Sequence, residues 1–355
     1  MEKILLIDQL SPEGHVNYDK FWIKSLTNLK VEYTFVGKKS FLDKLCIPNN
    51  VNKLEIPESY YKNIGHKNII IREYALFKIL NYVKRALNLK YYDKIIFLSF
   101  ENFSLFFSFN FHKNNIYAIL HNNLRQVNNS KVLKVLRYLS KKINLISLDY
   151  YIQKGLDSIG INTKVIIHPL VKISESINSE KNNKVVLFSP SISSTDQTFI
   201  NDVINNKEIL KILEEKEIEI IFRSKSINYN SNNIKVISSY LNENEYRKLL
   251  KEADYLLLPY EKNFNYRISG VLLEGISLNK KMIIPKYNDL KYFLSFNKET
   301  ILGFFDLNDF KSLLEGLDEN IGVVNYEEIK KIYSDENMQK GIINIINIIN
   351  NNMER

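Results

Sequence analysis

Cysteine is almost absent from this chain, since its 355 residues include only Cys46. An internal disulfide and a cysteine-based metal cluster are therefore excluded, which is typical of a reducing compartment. No run approaches the roughly 18 uncharged apolar residues that a membrane-spanning helix needs. The apolar segment near the amino terminus is short and is interrupted by Asp8, so it lacks the pattern of a secretory signal. We expect a cytoplasmic protein.

Several other sequence signatures are missing. The chain has no clustered Asp-x-Asp or His/Cys pattern of the kind that binds a divalent cation, so we expect no metal and no other cofactor. It has no internal repeat with a period of about 20–50 residues. No segment resembles a nucleic-acid-binding motif, which leaves generic charge as the only argument for such a partner, and we expect none.

Charge is unevenly distributed along the chain. Residues 1–168 contain 25 Lys and Arg against 13 Asp and Glu, whereas residues 169–355 contain 24 against 27. A basic first half favours an anionic partner, such as a membrane surface, a phosphorylated lipid or an acidic glycan. A generally lysine-rich composition is the alternative explanation, but it does not account for the acidic second half.

Strand and helix patterns alternate along both halves of the chain, which predicts α/β domains with doubly wound parallel sheets. The first half has strand-like runs at 3–7, 31–36, 94–98, 116–120, 143–148 and 164–167, with helical patterns at 18–29, 72–89 and 131–142. The second half has strands at 185–188, 218–222, 234–237, 255–258 and 282–285, with helices at 197–215, 243–252 and 268–278. A polar linker at 174–184 separates a first domain, 1–170, from a second, 184–335.

The segment 253–285 is the most informative part of the second domain. It predicts a strand, a polar loop at 259–266, a helix and a second strand, which together form one βαβ unit. In open α/β sheets, ligands bind at the carboxyl ends of the strands, where this loop must lie. Ser269 and Gly270 open the helix, so its first-turn N–H groups favour an anion such as a diphosphate. An ordinary serine-capped helix with a solvated Glu274 is the alternative.

This segment resembles the carboxyl-terminal domain of GT-B glycosyltransferases, and in particular the retaining, family 4-like enzymes that build bacterial surface glycans. The corresponding residues are Asp254, the Pro259-Tyr260 turn, the stretch from Arg267 to Val271, Glu274-Gly275, and 279–284. The resemblance implies two Rossmann-like domains that face a central cleft. It also implies that Glu274 binds the ribose of a nucleotide and that the amides of Gly270 and Val271 hold its diphosphate, with Arg267 and Ser269 nearby.

The sequence departs from the family pattern at two positions. Many relatives carry a second Glu eight residues before the first, close to the donor sugar, but Tyr266 occupies that position here and Glu261 is the only substitute in the loop. The usual glycine at the end of the helix is Asn279, a residue that tolerates the left-handed backbone which helix termini need.

Further residues follow predicted strands at the expected edge of each sheet. His121 ends a strand of the first domain, and the resemblance places it against the donor sugar as a catalytic residue. Arg223 and Lys225 follow a strand of the second domain, where cations would stabilise the departing diphosphate as further catalytic residues. Ser189 and Tyr240 are additional donor-binding candidates. Structural roles for each of these residues are the alternative.

The loop after the first strand and the ends of the chain suggest further contacts. Glu13, His15 and Tyr18 are acceptor-side candidates, although an ordinary connecting loop is equally compatible with them. The isoleucine-rich segment 336–353 predicts a carboxyl-terminal helix that crosses back to the first domain, as in GT-B enzymes, or that docks on a partner. The segments 78–92 and 131–142 mix cations with apolar residues, which suits either an anionic membrane or packing on the protein's own sheet.

Together these features predict a hexosyltransferase-like GT-B enzyme. It would move a sugar from a nucleoside-diphosphate donor to a glycan or polyprenyl-linked acceptor in the synthesis of a bacterial surface polysaccharide such as capsule or O-antigen. The resemblance implies a retaining, metal-independent reaction at the inner face of the plasma membrane. A nucleotide-sugar 2-epimerase of the same fold and a catalytically degenerate glycan-binding subunit are the alternatives.

Overall fold

The computed structural model describes residues 2–108, 115–171, 184–192, 194–317 and 324–347. Within these ranges no helix is both long enough and apolar enough to cross a bilayer. The described residues divide into two compact units. Unit 1 contains the chain up to Pro169, the short segment Tyr266–Ile268 and the residues from Asp335 onward, and unit 2 contains the remainder. Most of the predicted linker at 174–184 lies outside the described residues.

Unit 1 is built on a seven-stranded parallel sheet with the order β3-β2-β1-β4-β5-β6-β7. Its strands are β1 (Lys3–Asp8), β2 (Glu32–Lys38), β3 (Asn52–Ile56), β4 (Lys94–Ser99), β5 (Ile116–Ile119), β6 (Asn144–Ser147) and β7 (Lys164–Val165). Its helices are α1 (Val16–Asn28), α2 (Lys39–Leu45), α3 (Ile69–Ala86), α4 (Asn102–Ser108), α5 (Ser130–Leu139) and α6 (Tyr150–Ser158), with α13 (Asp335–Asn347) from the end of the chain.

Both faces of this sheet are buried, which is why its strands are almost continuously apolar. Successive residues of β1 point to opposite faces: Leu5 and Ile7 pack with helices α3 to α6, whereas Ile4 and Leu6 pack with α1 and α13. The isoleucine strip of α13 is therefore part of the core of unit 1. Ile348 and Ile349, which were predicted to continue that helix, lie outside the described residues.

A buried cation holds the end of α13 in place. Lys94 on β4 is fully buried, and its ammonium group contacts Glu2 Oε1 at 2.6 Å and donates a hydrogen bond to the carbonyl oxygen of Ile346. The last carbonyls of a helix carry partial negative charge, so a cation is favourable there. This arrangement explains why a lysine occupies a fully buried strand position.

Unit 2 has a six-stranded parallel sheet with the order β10-β9-β8-β11-β12-β13. Its strands are β8 (Val185–Ser189), β9 (Ile218–Arg223), β10 (Ile234–Ile237), β11 (Tyr255–Leu257), β12 (Lys281–Pro285) and β13 (Ile301–Phe304). Its helices are α7 (Gln197–Asn205), α8 (Lys207–Glu215), α9 (Glu243–Glu252), α10 (Gly270–Ser277), α11 (Leu307–Glu315) and α12 (Glu327–Ile332).

The predicted α/β class with two parallel sheets is confirmed, but several elements differ from the sequence prediction, which also lacked helices α2, α4, α6, α11 and α12. The helix predicted at 197–215 is two helices, because Asn206 leaves helical geometry and its side chain caps α8 by accepting from the amides of Glu208 and Ile209. Strand β3 was missed because it is a polar edge strand, and β13 because it is a short edge strand containing Gly303. Asn279 has a φ of 53°, the left-handed conformation expected at the end of α10.

Strand order reverses once in each sheet, and these reversals locate the binding crevices. In unit 1 the reversal lies between β1 and β4, and in unit 2 between β8 and β11. Crossover connections leave in opposite directions at such a point and open a crevice at the carboxyl ends of the strands. Each unit is therefore expected to carry its ligand-binding residues around the carboxyl ends of these pairs of strands.

Candidate functional site

The start of α10 forms one side of the unit 2 crevice. Ser269 is its N-cap: its Oγ accepts a hydrogen bond from the amide of Leu272 at 3.1 Å and pairs with Tyr260 Oη at 3.0 Å. The amide of Leu272 is thus occupied by the cap, and the first-turn N–H groups of Gly270 and Val271 remain for an anion. A Cβ atom on Gly270 would have no neighbour within 4 Å, so the space beside this turn is open.

Glu274 lies one turn further along α10 and is held by a tyrosine that the sequence analysis did not predict. Tyr246 Oη on α9 donates a hydrogen bond of 2.6 Å to Glu274 Oε2. Burial raises the pKa of Glu274, while the bond from Tyr246 and the charge of Arg247 oppose that rise. The carboxylate is therefore partly desolvated and fixed in direction, as a hydrogen-bond acceptor for ligand hydroxyls should be.

Close packing explains the residue that follows Glu274. A Cβ atom on Gly275 would lie 2.8 Å from Leu256 Cδ1 and 2.9 Å from Met282 Sδ. Helix α10 therefore sits directly against β11 and β12, where a residue larger than glycine would clash. This contact fixes the height of Glu274 above the sheet.

Arg223 at the end of β9 completes the polar cluster of unit 2. Its Nη1 donates to the carbonyl oxygen of Pro190 at 3.2 Å, and its guanidinium carbon lies 6.0 Å from the ring centroid of Tyr246. Its Nε is buried and has no hydrogen-bond partner within the described part of the chain. The hydroxyl of Ser189 at the end of β8 is also buried and unpartnered there. Arg223, Tyr246 and Glu274 thus form a chain of contacts that links three elements.

The other predicted donor-side residues are placed differently from this cluster. Lys225 is exposed in the turn after β9, and Tyr240 is one of the most exposed aromatic residues, at 83%. Arg267 is buried and belongs to unit 1, where its carbonyl oxygen accepts a hydrogen bond of 3.0 Å from Tyr151 Oη. Tyr266 has a φ of 59° and its ring packs against Gly155 of α6. The residue that replaces the expected Glu therefore has a packing role in unit 1.

A cavity of about 220 Å³ lies at the carboxyl edge of the unit 1 sheet. His15 and His121, both predicted from the sequence, line it together with Arg72, Ser99, Glu101, Asn102 and Asn123. Glu13 begins the short 3-10 helix that ends at His15, and the placement of its side chain is not described. Apolar and polar groups both line the cavity, and its polar side chains can exchange hydrogen bonds with hydroxyl groups.

Glu101 was not predicted, and it is the most perturbed carboxyl group of this cavity. Burial and the neighbouring carboxyl of Glu73 raise the pKa of Glu101 to about 8. Its Oε2 accepts a hydrogen bond of 2.8 Å from the amide of Ser104. Because the group is protonated at neutral pH, it can donate a hydrogen bond as well as accept one.

His121 lies in an aromatic cluster behind the cavity. Its ring centroid is 4.2 Å from that of His15 and 4.8 Å from that of Tyr18, and Tyr18 stacks on His168 at 5.1 Å. Burial and the neighbouring histidines lower the pKa of His121, and burial lowers the pKa of His168 to about 4. Both imidazoles are therefore neutral at pH 7. His168 was missed because nothing in its local sequence indicates this contact.

Two buried carboxyl groups, those of Asp8 and Asp19, lie close to His15. Asp8 Oδ2 lies 3.8 Å from His15 Nδ1, and candidate ligand atoms of Asp8, His15 and Asp19 all lie within 4.8 Å of one another. Asp8 Oδ1 accepts from the amide of Ser11 at 2.5 Å and from the hydroxyl of Ser99. These three side chains could bind a cation. A single proton shared by Asp8 and Asp19 would equally relieve the repulsion between their carboxylates.

The pKa directions favour the shared proton. Burial and the proximity of Asp8 raise the pKa of Asp19 well above its ordinary value. Burial also opposes ionisation of Asp8, yet contact with His15 and hydrogen bonds from its other neighbours lower its pKa. Asp19 is therefore neutral and Asp8 is ionised, which leaves one negative charge next to His15.

Solved structures share this architecture over almost the whole chain. HepE from Anabaena, determined in complex with UDP, has a TM-score of 0.64 at 12% identity, and the match covers 98% of this chain and 99% of HepE. TarM also has a TM-score of 0.64 at 12% identity, with the same coverage of both chains. The fold is GT-B. A glycosyltransferase from Rickettsia africae has a TM-score of 0.54 at 14% identity, and the match covers 99% of this chain and 97% of that protein.

Further HepE structures contain UDP with glucose, or UDP-glucose. No protein-family model matches the sequence, and no curated protein matches it. Structural similarity at such low sequence identity establishes the GT-B fold and nothing finer. The reaction therefore has to be argued from the residues of this chain.

Proposed function

We propose that this GT-B protein is a glycosyltransferase that moves a sugar from a nucleoside-diphosphate donor to a glycan or polyprenyl-linked acceptor in bacterial surface polysaccharide synthesis. The observation that carries the proposal is the polar cluster of unit 2. Glu274, fixed by Tyr246, and the partly buried Arg223 lie around the crevice of an α/β sheet that a helix amino terminus also borders. This arrangement suits a ribose and a diphosphate.

The donor chemistry follows from the charges in this cluster. Arg223 and the amides of Gly270 and Val271 would stabilise the negative charge that develops on the departing diphosphate. Glu274 would accept hydrogen bonds from the ribose hydroxyls. UDP is the first nucleotide to test, because HepE shares the fold and was determined with UDP and UDP-glucose.

The acceptor side of the reaction would use the cavity of unit 1. His15, the neutral His121 and the protonated Glu101 can exchange hydrogen bonds with sugar hydroxyls at pH 7. We propose retention at the anomeric carbon, with the departing phosphate assisting deprotonation of the acceptor and with no requirement for a divalent cation. The basic character of residues 1–168 supports an acceptor at the anionic inner face of the plasma membrane.

Nucleotide binding tests the proposal without any knowledge of the acceptor. The purified protein is titrated with UDP, GDP, CMP and ADP in the absence of metal, and thermal stabilisation is measured. We expect one nucleotide to stabilise the protein and Glu274→Ala to abolish that effect. Glu328→Ala on α12 is the matched control, since Glu328 is an exposed glutamate on another helix of unit 2.

The outcome also separates this function from its alternatives. No response to any of the four nucleotides would contradict the donor site and would leave a degenerate glycan-binding subunit. If UDP binds, incubation with UDP-sugars but without an acceptor distinguishes a transferase from a 2-epimerase, because only the epimerase releases an epimeric sugar under those conditions. Equal nucleotide binding by Glu274→Ala and wild type would place the nucleotide elsewhere.

A further inference from the structure

Exposed apolar side chains are concentrated on one group of helices in unit 1. Three consecutive isoleucines open α3 and are exposed by 54%, 75% and 39%, namely Ile69, Ile70 and Ile71. Tyr74 on α3, Phe107 on α4 and Tyr138 on α5 are also exposed, by 59%, 69% and 43%. Helices α3, α4 and α5 are neighbours on the same side of the sheet. Exposed apolar side chains gathered on neighbouring helices are typical of an interaction site.

The same helices are strongly basic. Together α3, α4 and α5 contain seven Lys and Arg but a single acidic residue, Glu73, which is paired with Arg72 at 2.9 Å. The exposed cations on or directly beside these helices are Lys67, Lys78, Lys84, Arg85, Lys131, Lys134, Arg137, Lys141 and Lys142. We call the exposed apolar and cationic residues of α3, α4 and α5 the basic face. Apolar residues surrounded by cations are complementary to anionic lipid headgroups.

The apolar sides of the helices predicted from the sequence do not form this surface. Ile79, Leu80 and Val83 of α3, and Leu136 and Leu139 of α5, are buried in the core. The exposed isoleucines instead occupy the first turn of α3, outside the segments in which the sequence showed an amphipathic pattern. None of these three isoleucines is among the buried core residues of the described part of the chain, so packing of the core does not explain them.

The exposed isoleucines lie next to the cavity of unit 1 in the chain. Arg72, the residue after Ile71, lines that cavity. A groove of about 650 Å³ runs along α3 from Ile71 and Tyr74 to Tyr82 and Arg85. The exposed first turn of α3 therefore borders the cavity, and the groove continues from it between α3 and residues 59–63.

We propose that the basic face docks on an anionic bilayer with Ile69, Ile70 and Ile71 inserted among the headgroups. The cations of α3 and α5 then contact lipid phosphates, and the cavity mouth lies at the membrane surface. The cavity thereby receives an acceptor whose sugar projects from a lipid anchor. This last step rests on the proposed transferase function, whereas docking itself does not.

Vesicle sedimentation tests the docking. The full chain is mixed with vesicles of phosphatidylcholine alone or with added phosphatidylglycerol, at low and high salt. We expect binding that requires phosphatidylglycerol and weakens with salt. Ile69→Ser combined with Ile70→Ser, or Lys67→Glu combined with Lys134→Glu, should each reduce the bound fraction by more than about tenfold. The matched controls, Phe305→Ser and Lys291→Glu combined with Lys298→Glu, carry exposed residues of unit 2 and should bind like wild type.

Three results would overturn the docking proposal. The first is equal sedimentation with both vesicle types, and the second is equal sedimentation of the isoleucine variant and wild type when thermal unfolding shows that both are folded. The third is a wild-type dimer in light scattering that the isoleucine variant converts to a monomer, because the surface would then join two copies of the chain. UDP binding measured without vesicles reports separately on the transferase proposal.

Discussion

Tyr246 Oη donates a 2.6 Å hydrogen bond to Glu274 Oε2, and this bond joins α9 to α10 beside the crevice of unit 2. The guanidinium carbon of Arg223 lies 6.0 Å from the centroid of the Tyr246 ring. A single tyrosine thus positions both the carboxylate and the cation that we assign to nucleotide binding. The hydrogen bond from the Tyr246 hydroxyl fixes the orientation of the Glu274 carboxylate, which an ordinary solvated helix residue would lack.

Replacing this hydroxyl should weaken nucleotide binding without unfolding the protein. Tyr246→Phe removes a bond to a carboxylate, and we expect the affinity for UDP to fall by about 1–2 kcal/mol, a factor of roughly 5 to 30. The pKa of Glu274 should rise further, because the bond from Tyr246 opposes the effect of burial. Calorimetric titration measures the affinity, with Tyr150→Phe on the exposed surface of unit 1 as the control. Unchanged affinity in Tyr246→Phe would remove Tyr246 from the site.

Protein stability should depend on pH through Glu101. Its pKa is raised from 4.5 to about 8 by burial and by Glu73, so the folded protein binds a proton that the unfolded chain has released over this range. Stability from this group is complete below pH 4.5 and is lost as pH rises towards about 8. Urea unfolding across this range should show a decline in wild type that is smaller in Glu101→Gln. Equal slopes in the two proteins would contradict the protonated state of Glu101.

The sequence predicted the βαβ unit that carries the proposed donor site because its signals are local. A strand, a loop and a helix with Ser269 and Glu274 at fixed spacing lie within one short segment, and the parallel topology then determines where that loop must be. Tyr246 has no such signal, since its bond to Glu274 depends on how α9 packs against α10. The order of the strands also could not be read from the sequence, although their positions could.

The sequence did not reveal that three carboxyl groups of unit 1 are largely buried. Glu101, Asp8 and Asp19 each lie near the end of a strand or the start of a helix, where a polar residue is ordinarily solvated. Their unusual protonation arises from neighbours distant in the chain, such as Glu73 beside Glu101 and Ser99 beside Asp8. His15 and His121 were predicted as site residues because each follows a recognisable strand, but their ring contact at 4.2 Å depends on tertiary packing.

Removing divalent cations should leave both stability and activity unchanged. Asp8, His15 and Asp19 are the described residues whose geometry suits a cation, yet a proton on Asp19 already balances the two carboxylates. We expect the same melting temperature with EDTA and with Mn²⁺, and we expect Asp19→Asn to remain folded because its amide can donate to Asp8. Asp8→Asn should be more disruptive, since Asp8 accepts bonds from Ser11 and Ser99. Stabilisation by Mn²⁺ that Asp19→Asn abolishes would instead identify a metal site.

The contact between Gly155 and Tyr266 predicts a steric effect on the segment that carries Arg267. A Cβ atom on Gly155 would lie 2.8 Å from Cε1 of the Tyr266 ring, which is closer than van der Waals contact allows. Gly155→Ala should therefore destabilise the protein by about 1–3 kcal/mol, since either the ring or the segment must move. Gly65→Ala is the control, because a Cβ atom there meets nothing within 4 Å.

A second substitution distinguishes this clash from a general effect on α6. Alanine has a higher helix propensity than glycine, so Gly155→Ala should stabilise α6 by roughly 1 kcal/mol once the ring is absent. In a Tyr266→Ala background we therefore expect Gly155→Ala to be neutral or stabilising, and the two substitutions to be non-additive. Urea unfolding of the four proteins measures the coupling directly. If Gly155→Ala were equally destabilising with and without the Tyr266 ring, the packing role of Tyr266 would be wrong, and its position would again be open to a role at the donor sugar.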